Sequence, residues 1–165
     1  MSPRPRRSLS HVGATGAARM VDVSGKETTV REAVARGRIT ISPAAMRLVR
    51  ANALAKGGVA EVARIAGILA AKRTADVIPL CHPLPLAHVA VELGPRRDGF
   101  VIEATVRTEA QTGVEMEALH AVAIAALTVY DMVKAADKGM KIGEIVLSRK
   151  TGGKSGPYLR GRHRR

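Results

Sequence analysis

A proline-rich segment presents the side chains best suited to chemistry. Residues 78–85 read IPLCHPLP, so three prolines stiffen the backbone around Cys81 and His82. A stiff loop lowers the entropic cost of presenting these side chains to a ligand. The alternative is that the prolines only end one element and begin the next. We expect no metal at Cys81, His82 and His88, because no second Cys or His pair lies at zinc-finger spacing and structural zinc takes four ligands.

Charged residues recur on one side of a long predicted helix. At about 100° per residue, Glu117 and Asp131 lie about 40° apart around the helix axis, and Lys134 and Lys138 fall near Asp131. The charge pattern alone favours a solvated face with an Asp–Lys pair. The helix rises about 21 Å between Glu117 and Asp131, so these two residues of one chain cannot both touch one reacting atom. A site that uses both needs a long ligand or a second subunit.

A glycine-rich segment near the C-terminus is a third candidate. Residues 151–156 read TGGKSG, in which the glycines expose backbone N–H groups and Lys154 can hold a phosphate. The segment fails the P-loop pattern, because Ser148 stands where that pattern requires its first glycine. The alternative is a flexible hinge before the C-terminal tail.

Hydrophobic spacing predicts the elements that must position these segments. The predicted strands are 20–23, at least the second half of 28–41, a hairpin of 87–93 with 99–108, and 142–147. The first predicted helix runs from Pro43 to near Asn52 with Ser42 as its N-cap. The second, at 59–72, is apolar nearly all round and is therefore expected to be buried. The third starts at a Thr112–Glu115 capping box and runs to about residue 136. Paired strands with intervening helices favour an α+β fold, with the helices packed on one face of an antiparallel sheet.

Length and composition indicate one domain with an aliphatic core. The chain has 165 residues, of which 46% are hydrophobic and only three are aromatic. Cys81 is the single cysteine, so no internal disulfide forms and a reducing compartment is expected. No apolar run reaches the 18 residues that a membrane span needs, and the Arg- and Pro-rich start lacks the apolar stretch of a signal peptide. We therefore expect a cytoplasmic protein without a membrane partner.

The net charge of +13 is concentrated at the two ends of the chain. Seven arginines lie in residues 1–10 and 159–165, which leaves 20 bases against 14 acids in residues 11–158. We expect two disordered basic tails, 1–10 and 159–165, around a single catalytic α+β domain, 11–158. A small basic nucleic-acid-binding protein is the rival hypothesis, but the scarcity of aromatic stacking residues disfavours it. The modest charge of the body fits an anionic small molecule equally well.

Several segments in fixed order give the chain a specific resemblance. They are 20–24 (MVDVS), 64–67 (RIAG), 70–74 (AAKRT), 78–83 (IPLCHP), 112–119 (TGVEMEAL), 126–132 (ALTVYDM), Lys134 with 137–138 (DK), and 152–156 (GGKSG). Together they resemble the cyclic pyranopterin monophosphate synthase family of molybdenum cofactor biosynthesis. The resemblance covers about residues 9–158 and leaves only the tails outside. Two positions depart from the family pattern, namely Gly58 in place of an acid and Gln111 in place of a lysine.

The resemblance implies roles for individual residues. Asp131 and Lys134 match the family's catalytic aspartate and its essential lysine, while Lys56 and Lys154 match lysines that approach the phosphates or reacting core of the substrate. The resemblance therefore implies that Asp131, Lys134 and Lys56 are catalytic and that Lys154 binds the substrate. Those that match its substrate-binding positions are Leu80, Cys81, His82, Met116 and Glu117. The family also implies a ferredoxin-like subunit in a homo-hexamer, arranged as a trimer of dimers with sites at subunit interfaces.

The implied activity is that of a lyase which needs no metal or organic cofactor. It would convert (8S)-3',8-cyclo-7,8-dihydroguanosine 5'-triphosphate, a cyclised dihydro-GTP, to cyclic pyranopterin monophosphate and diphosphate. Lysines and glycine-loop amides would hold the polyanion, while Asp131 and Lys134 would share the proton transfers. No specific nucleic acid is implied as a partner.

Overall fold

The described part of the chain forms five strands and four helices. The computed structural model describes residues 9–13, 15–52 and 58–161, so the predicted catalytic Lys56 lies outside the described residues. The elements are β1 (Thr29–Thr40), α1 (Pro43–Asn52), α2 (Val59–Lys72), α3 (Thr74–Val77), β2 (Leu86–Arg96), β3 (Gly99–Ala110), α4 (Glu115–Val133), β4 (Lys141–Thr151) and β5 (Tyr158–Leu159).

The strands form one antiparallel sheet in the order β2-β3-β1-β4-β5. Helix α4 packs on the central strands, and α2 packs on β2 and against α4, so both long helices cover the same face. Two connections join strands that are not neighbours in the sheet. The connection from β1 to β2 contains α2, and the connection from β3 to β4 contains α4. This arrangement confirms the predicted α+β, ferredoxin-like fold with helices on one face.

Small aliphatic side chains fill the space between the sheet and the helices. Alternate residues of β1, including Ala33, Ala35 and Ile39, face the helices and are almost completely buried, as period-two alternation requires. Phe100 is the only aromatic residue among the buried hydrophobic residues of the described chain. Helix α4 is long and apolar enough to cross a membrane by length and composition alone. In this fold it is the central core helix.

Two predicted local features, a strand and a helix capping box, are wrong. Residues 20–23 are not a strand, and the carbonyl oxygen of Val21 accepts a hydrogen bond from His82 Nε2 at 2.9 Å instead of pairing with a strand. Thr112 and Glu115 do not form a capping box, because α4 begins at Glu115 and its N-cap makes no side-chain hydrogen bond. The Glu115 carboxylate pairs instead with Lys150 Nζ at 3.0 Å.

Helix α2 is buried on one side only, contrary to the prediction of burial nearly all round. Ala63, Gly67, Ala70 and Ala71 are buried, because these small residues let α2 approach α4 closely. An exposed apolar stripe, defined as Val62, Ile65 and Leu69, runs along the opposite side. A single chain leaves this stripe in contact with water.

Candidate active site

One cavity collects five of the six predicted substrate-binding residues, all but Lys154. Its volume is about 320 Å³, and it lies between the proline-rich segment 78–85, the segment around residues 10–26 and the start of α4. Leu80, Cys81, His82, Met116 and Glu117 all line it. The prolines hold the first three of these residues on an irregular backbone, while the first turn of α4 presents the other two.

A single hydrogen bond orients His82 in the cavity. Its Nε2 donates to the carbonyl oxygen of Val21 at 2.9 Å, since a carbonyl can only accept. Nε2 therefore carries a hydrogen in this arrangement. The segment wrongly predicted as a strand thus serves to orient the imidazole.

Glu117 is a buried carboxyl group in the lining of the cavity. The residue is only 4% exposed, and its Oε2 has no hydrogen-bond partner among the described residues. Desolvation raises the pKa of Glu117 to about 7, and the negative charge of Glu115 pushes in the same direction. Burial, together with the charge of Glu117, also raises the pKa of the Cys81 thiol, so Cys81 is a neutral thiol near pH 7.

Stability is expected to fall with rising pH because of Glu117. Its folded pKa of about 7 lies above the ordinary value of 4.5, so the native state binds this proton more tightly than the unfolded state. The stabilisation is fully present below about pH 4.5 and is lost as the pH rises through about 7. We expect Glu117→Gln to be more stable than the wild type at pH 8 by about 3 kcal/mol, or roughly 6–12 °C in Tm, and by less than about 1 kcal/mol at pH 5.

Melting curves from pH 4.5 to 8.5 measure this difference. The matched control is Glu92→Gln, which removes an exposed carboxylate on β2 and should follow the wild type throughout. A constant difference in Tm between Glu117→Gln and the wild type across this range would contradict the account.

Asp131 and Lys134 form a second cluster at the other end of α4. Lys134 Nζ donates to Asp131 Oδ1 at 2.6 Å, and the side chains of Lys134 and Asp131 are 57% and 71% exposed. The hydrogen bond and the charge of Asp131 raise the pKa of Lys134, so its ammonium group stays protonated. Lys138 does not share this helix face as predicted, because α4 ends at Val133.

The cavity and the Asp131–Lys134 cluster of one chain do not meet. The axial rise of α4 between Glu117 and Asp131 is about 21 Å, and neither Asp131 nor Lys134 lines the cavity. Lys154 lies on the glycine-rich segment, where Gly152, Gly153 and Gly156 adopt positive φ angles of 86°, 77° and 70°. Its side chain is exposed and also lies outside the cavity lining.

His11 and Lys26 line the cavity but were not predicted as site residues. Both belong to the irregular segment before β1, where no hydrophobic periodicity points to a role. The position of Lys26, two residues after the conspicuous MVDVS segment, is the only signal that could have singled it out. Lys26 adds a cation to a cavity that otherwise carries two carboxyl groups, Glu115 and Glu117.

The two departures from the family pattern have local structural roles. The carbonyl oxygen of Gly58 accepts the N–H groups of Glu61 and Val62 at the start of α2. The amide of Gln111 donates to the carbonyl oxygen of Ser24 at 3.5 Å, which links the two segments that border the cavity. Within the described ranges, no three His, Cys, Asp or Glu side chains are grouped in a way that could hold a metal ion.

Comparison with known protein families shows to which family this chain belongs. The model of the MoaC family matches residues 20–153, which is most of the chain and includes Asp131, Lys134 and the five predicted residues that line the cavity. The chain belongs to the MoaC family. Over 154 residues, this MoaC chain is 58% identical to a protein of Parvibaculum lavamentivorans named cyclic pyranopterin monophosphate synthase, with 92% of this chain and 96% of the relative covered.

Other MoaC relatives carry the same name. A protein of Dinoroseobacter shibae is 57% identical over 152 residues, covering 91% of this chain and 96% of the relative. A protein of a Nostoc species is 54% identical over 159 residues, covering 95% of each chain. The predicted family membership is confirmed.

Proposed function

We propose that this MoaC protein is a cyclic pyranopterin monophosphate synthase, a lyase of molybdenum cofactor biosynthesis. The observation that carries the proposal is the identity of 54–58% to synthases over more than nine-tenths of the chain. The substrate is the cyclised dihydro-GTP, and the products are cyclic pyranopterin monophosphate and diphosphate. The cavity with His82, Cys81 and Glu117 has the polar groups that a small heterocyclic substrate needs.

The reaction needs three kinds of assistance from the chain. A polyanion must be held, for which Lys56, Lys154 and the N–H groups of the glycine-rich segment are suited. A ring must open and close again, and Asp131 and Lys134 carry these proton transfers. An oxygen must attack the α-phosphorus and expel diphosphate, and the ammonium groups stabilise the charge that spreads over the phosphate oxygens.

The active site is shared between neighbouring copies of the chain in this proposal. In this proposal a neighbour supplies Asp131 and Lys134, because the rise of about 21 Å along α4 separates them from the cavity of their own chain. We propose a homo-hexamer arranged as a trimer of dimers. The exposed apolar stripe of α2 supports an oligomer, because its three side chains form the kind of surface that subunit contacts cover.

We propose that the enzyme is cytoplasmic and has a single catalytic domain, 11–158, between basic tails. The free thiol of Cys81 is consistent with a reducing compartment. Ordered strand pairing extends slightly past residue 158, since Leu159 pairs in the sheet and the N–H of Arg160 donates to the carbonyl oxygen of Ser148.

Nucleic-acid binding has less support than the synthase activity. Four arginines on the open side of the sheet pair with acidic residues: Arg36 with Glu103, Arg38 with Asp98, and both Arg107 and Arg149 with Glu32. Their charge is therefore partly neutralised, which leaves a weak attraction for a polyanionic polymer.

A direct assay tests the proposed function. Purified protein incubated with the cyclised dihydro-GTP is expected to release one diphosphate for each pterin product formed. GTP, which lacks the new ring, is the matched control and should release none. Diphosphate release no faster than in buffer would refute the proposed function.

A further inference from the structure

The proline-rich segment that lines the cavity follows directly on the short helix α3. This helix has only four residues, so it has little stability of its own and depends on its contacts with the rest of the chain. Asp76 and Val77 are exposed, and Thr74 is the one residue of α3 that is almost completely buried. The side chain of Thr74 is therefore the main anchor of α3.

The hydroxyl group of Thr74 bonds two other helices. It donates to the carbonyl oxygens of Ala70 and Ala71 in the last turn of α2, both at 3.1 Å. Nδ1 of His120 in α4 lies 3.2 Å from the same hydroxyl oxygen. A hydroxyl has one hydrogen, so while this hydrogen is directed to the carbonyl groups, the oxygen accepts a hydrogen bond from Nδ1. One buried hydroxyl group thus joins α2, α3 and α4.

Backbone hydrogen bonds extend this contact into one wall of the cavity. The N–H of Ile78 donates to the carbonyl oxygen of Thr74, and the N–H of Cys81 donates to that of Ile78, each at 3.0 Å. Cys81 and its neighbours Leu80 and His82 line the cavity. Since two hydrogen bonds connect Thr74 to Cys81, a displacement of Thr74 would shift this wall.

His120 lies on the same side of α4 as two residues of the other wall. Met116 and Glu117 precede it by four and three residues, so the three side chains form one row along the helix. Met116 and Glu117 line the cavity, whereas the half-buried His120 does not. The hydrogen bond between His120 and Thr74 therefore joins the two walls at a point outside the cavity.

We propose that His120 and Thr74 are positioning residues whose hydrogen bond sets the spacing between the two walls of the cavity, and thereby its affinity for the substrate. The inference rests on the proposed function, because that function supplies the substrate. Neither residue lines the cavity, so both act through the residues that do. A structural role alone would lower stability and leave KM unchanged, whereas a positioning role raises KM.

Hydrogen exchange tests this link without any substrate. His120→Phe keeps an aromatic ring and removes Nδ1, while Thr74→Val keeps the branched shape and removes the hydroxyl. In both variants we expect the amides of Ile78 and Cys81 to exchange about tenfold faster than in the wild type, because a hydrogen bond that anchors their segment is lost. His120 is half-buried, so His120→Phe remains informative even if Thr74→Val fails to fold.

Thr128→Val is the matched control for hydrogen exchange. It removes a hydroxyl that donates to a carbonyl oxygen of its own helix, that of Ile124 at 2.8 Å. The amides of Ile78 and Cys81 should stay as protected in this variant as in the wild type. The same protection of both amides in His120→Phe would overturn the proposal.

Kinetics with the cyclised dihydro-GTP test the effect on the substrate. His120→Phe and Thr74→Val should each raise KM about tenfold and change kcat less than about threefold. The double variant should differ from either single variant by less than about twofold in KM, since both substitutions remove the same hydrogen bond. His120→Asn, whose amide N–H can replace Nδ1–H, and Thr74→Ser, which keeps the hydroxyl, should restore most of the affinity. The control is His88→Phe, an exposed histidine of β2, which should keep the KM of the wild type.

Two kinetic results would overturn the positioning role. One is an unchanged KM in His120→Phe, whatever its Tm. The other is a rise of about a hundredfold in the double variant, which would show that the two residues act independently. An inactive wild type would refute the proposed function instead, and hydrogen exchange would still decide whether His120 and Thr74 hold the segment.

Discussion

The variant Asp131→Asn is expected to lose at least about a hundredfold in kcat while its Tm stays that of the wild type. A positioned acid–base group contributes on the order of 10²–10⁴ to a rate, and an amide of the same shape cannot take up the proton. Asp131 is 71% exposed, so the substitution disturbs no packing. It also removes the carboxylate whose charge-assisted hydrogen bond and negative charge raise the pKa of Lys134. Initial rates of diphosphate release, with melting curves on the same samples, measure both quantities.

Two further variants give this experiment its controls. Lys134→Ala should lose activity to a comparable extent, because Asp131 and Lys134 act as a pair in the proton transfers. Asp76→Asn removes another exposed carboxylate, on the short helix α3, and should keep the activity of the wild type. Wild-type kcat in both Asp131→Asn and Lys134→Ala would refute the roles assigned to this cluster.

Much of the fold could be predicted because local pattern and tertiary structure agree. The hairpin of β2 and β3 follows from clean alternation of apolar and polar residues around a turn. Helix α1 begins at Pro43 as predicted, since proline is favoured in the first turn and the N–H of Ala45 bonds the Ser42 hydroxyl at 3.4 Å. Helix α2 has the predicted bounds, 59–72.

The errors arise where a distant partner decides the local structure. Glu115 has the spacing of a capping residue, but Lys150 pairs with its carboxylate and α4 begins later than the spacing predicts. Residues 20–23 have the composition of a strand, yet Val21 bonds His82 instead. The apolar pattern of α2 could not show which side would remain uncovered, because that depends on packing against α4 and β2.

The candidate site could be predicted only in part for a similar reason. His82 and Glu117 each lie in an unbroken sequence motif, so each motif could be recognised from the sequence, and the fold brings the two motifs to one cavity. Lys26 comes from an irregular segment, so only the three-dimensional structure shows that it lines the same cavity. The separation of Asp131 from Glu117 follows from helix geometry alone, because the rise per residue is fixed. Lys56 lies outside the described residues, and its catalytic role stays a prediction.

Subunit mixing is expected to restore activity to two inactive variants. If one chain supplies Asp131 and its neighbour supplies His82, Asp131→Asn and His82→Ala chains can complement each other at their common interfaces. In random 1:1 assemblies, about a quarter of the sites receive the intact Asp131 cluster from one chain and the intact cavity from the other. Each variant assembled alone has no intact site.

A third variant provides a matched control for mixing. Asp131→Asn and Lys134→Ala alter the same cluster, which each site receives from a single chain. Mixed assemblies of these two variants therefore contain no intact site and should stay inactive. This control separates true complementation from a general stabilisation of mixed assemblies.

The rate of diphosphate release by mixed assemblies most directly tests whether the active site is shared. The two variants are produced together with different affinity tags and purified through both tags, so that every assembly contains both chains. We expect the Asp131→Asn and His82→Ala mixture to reach about a quarter of the wild-type rate. If that mixture is as inactive as either variant alone, while the wild type carrying the same two tags is fully active, the shared site is contradicted.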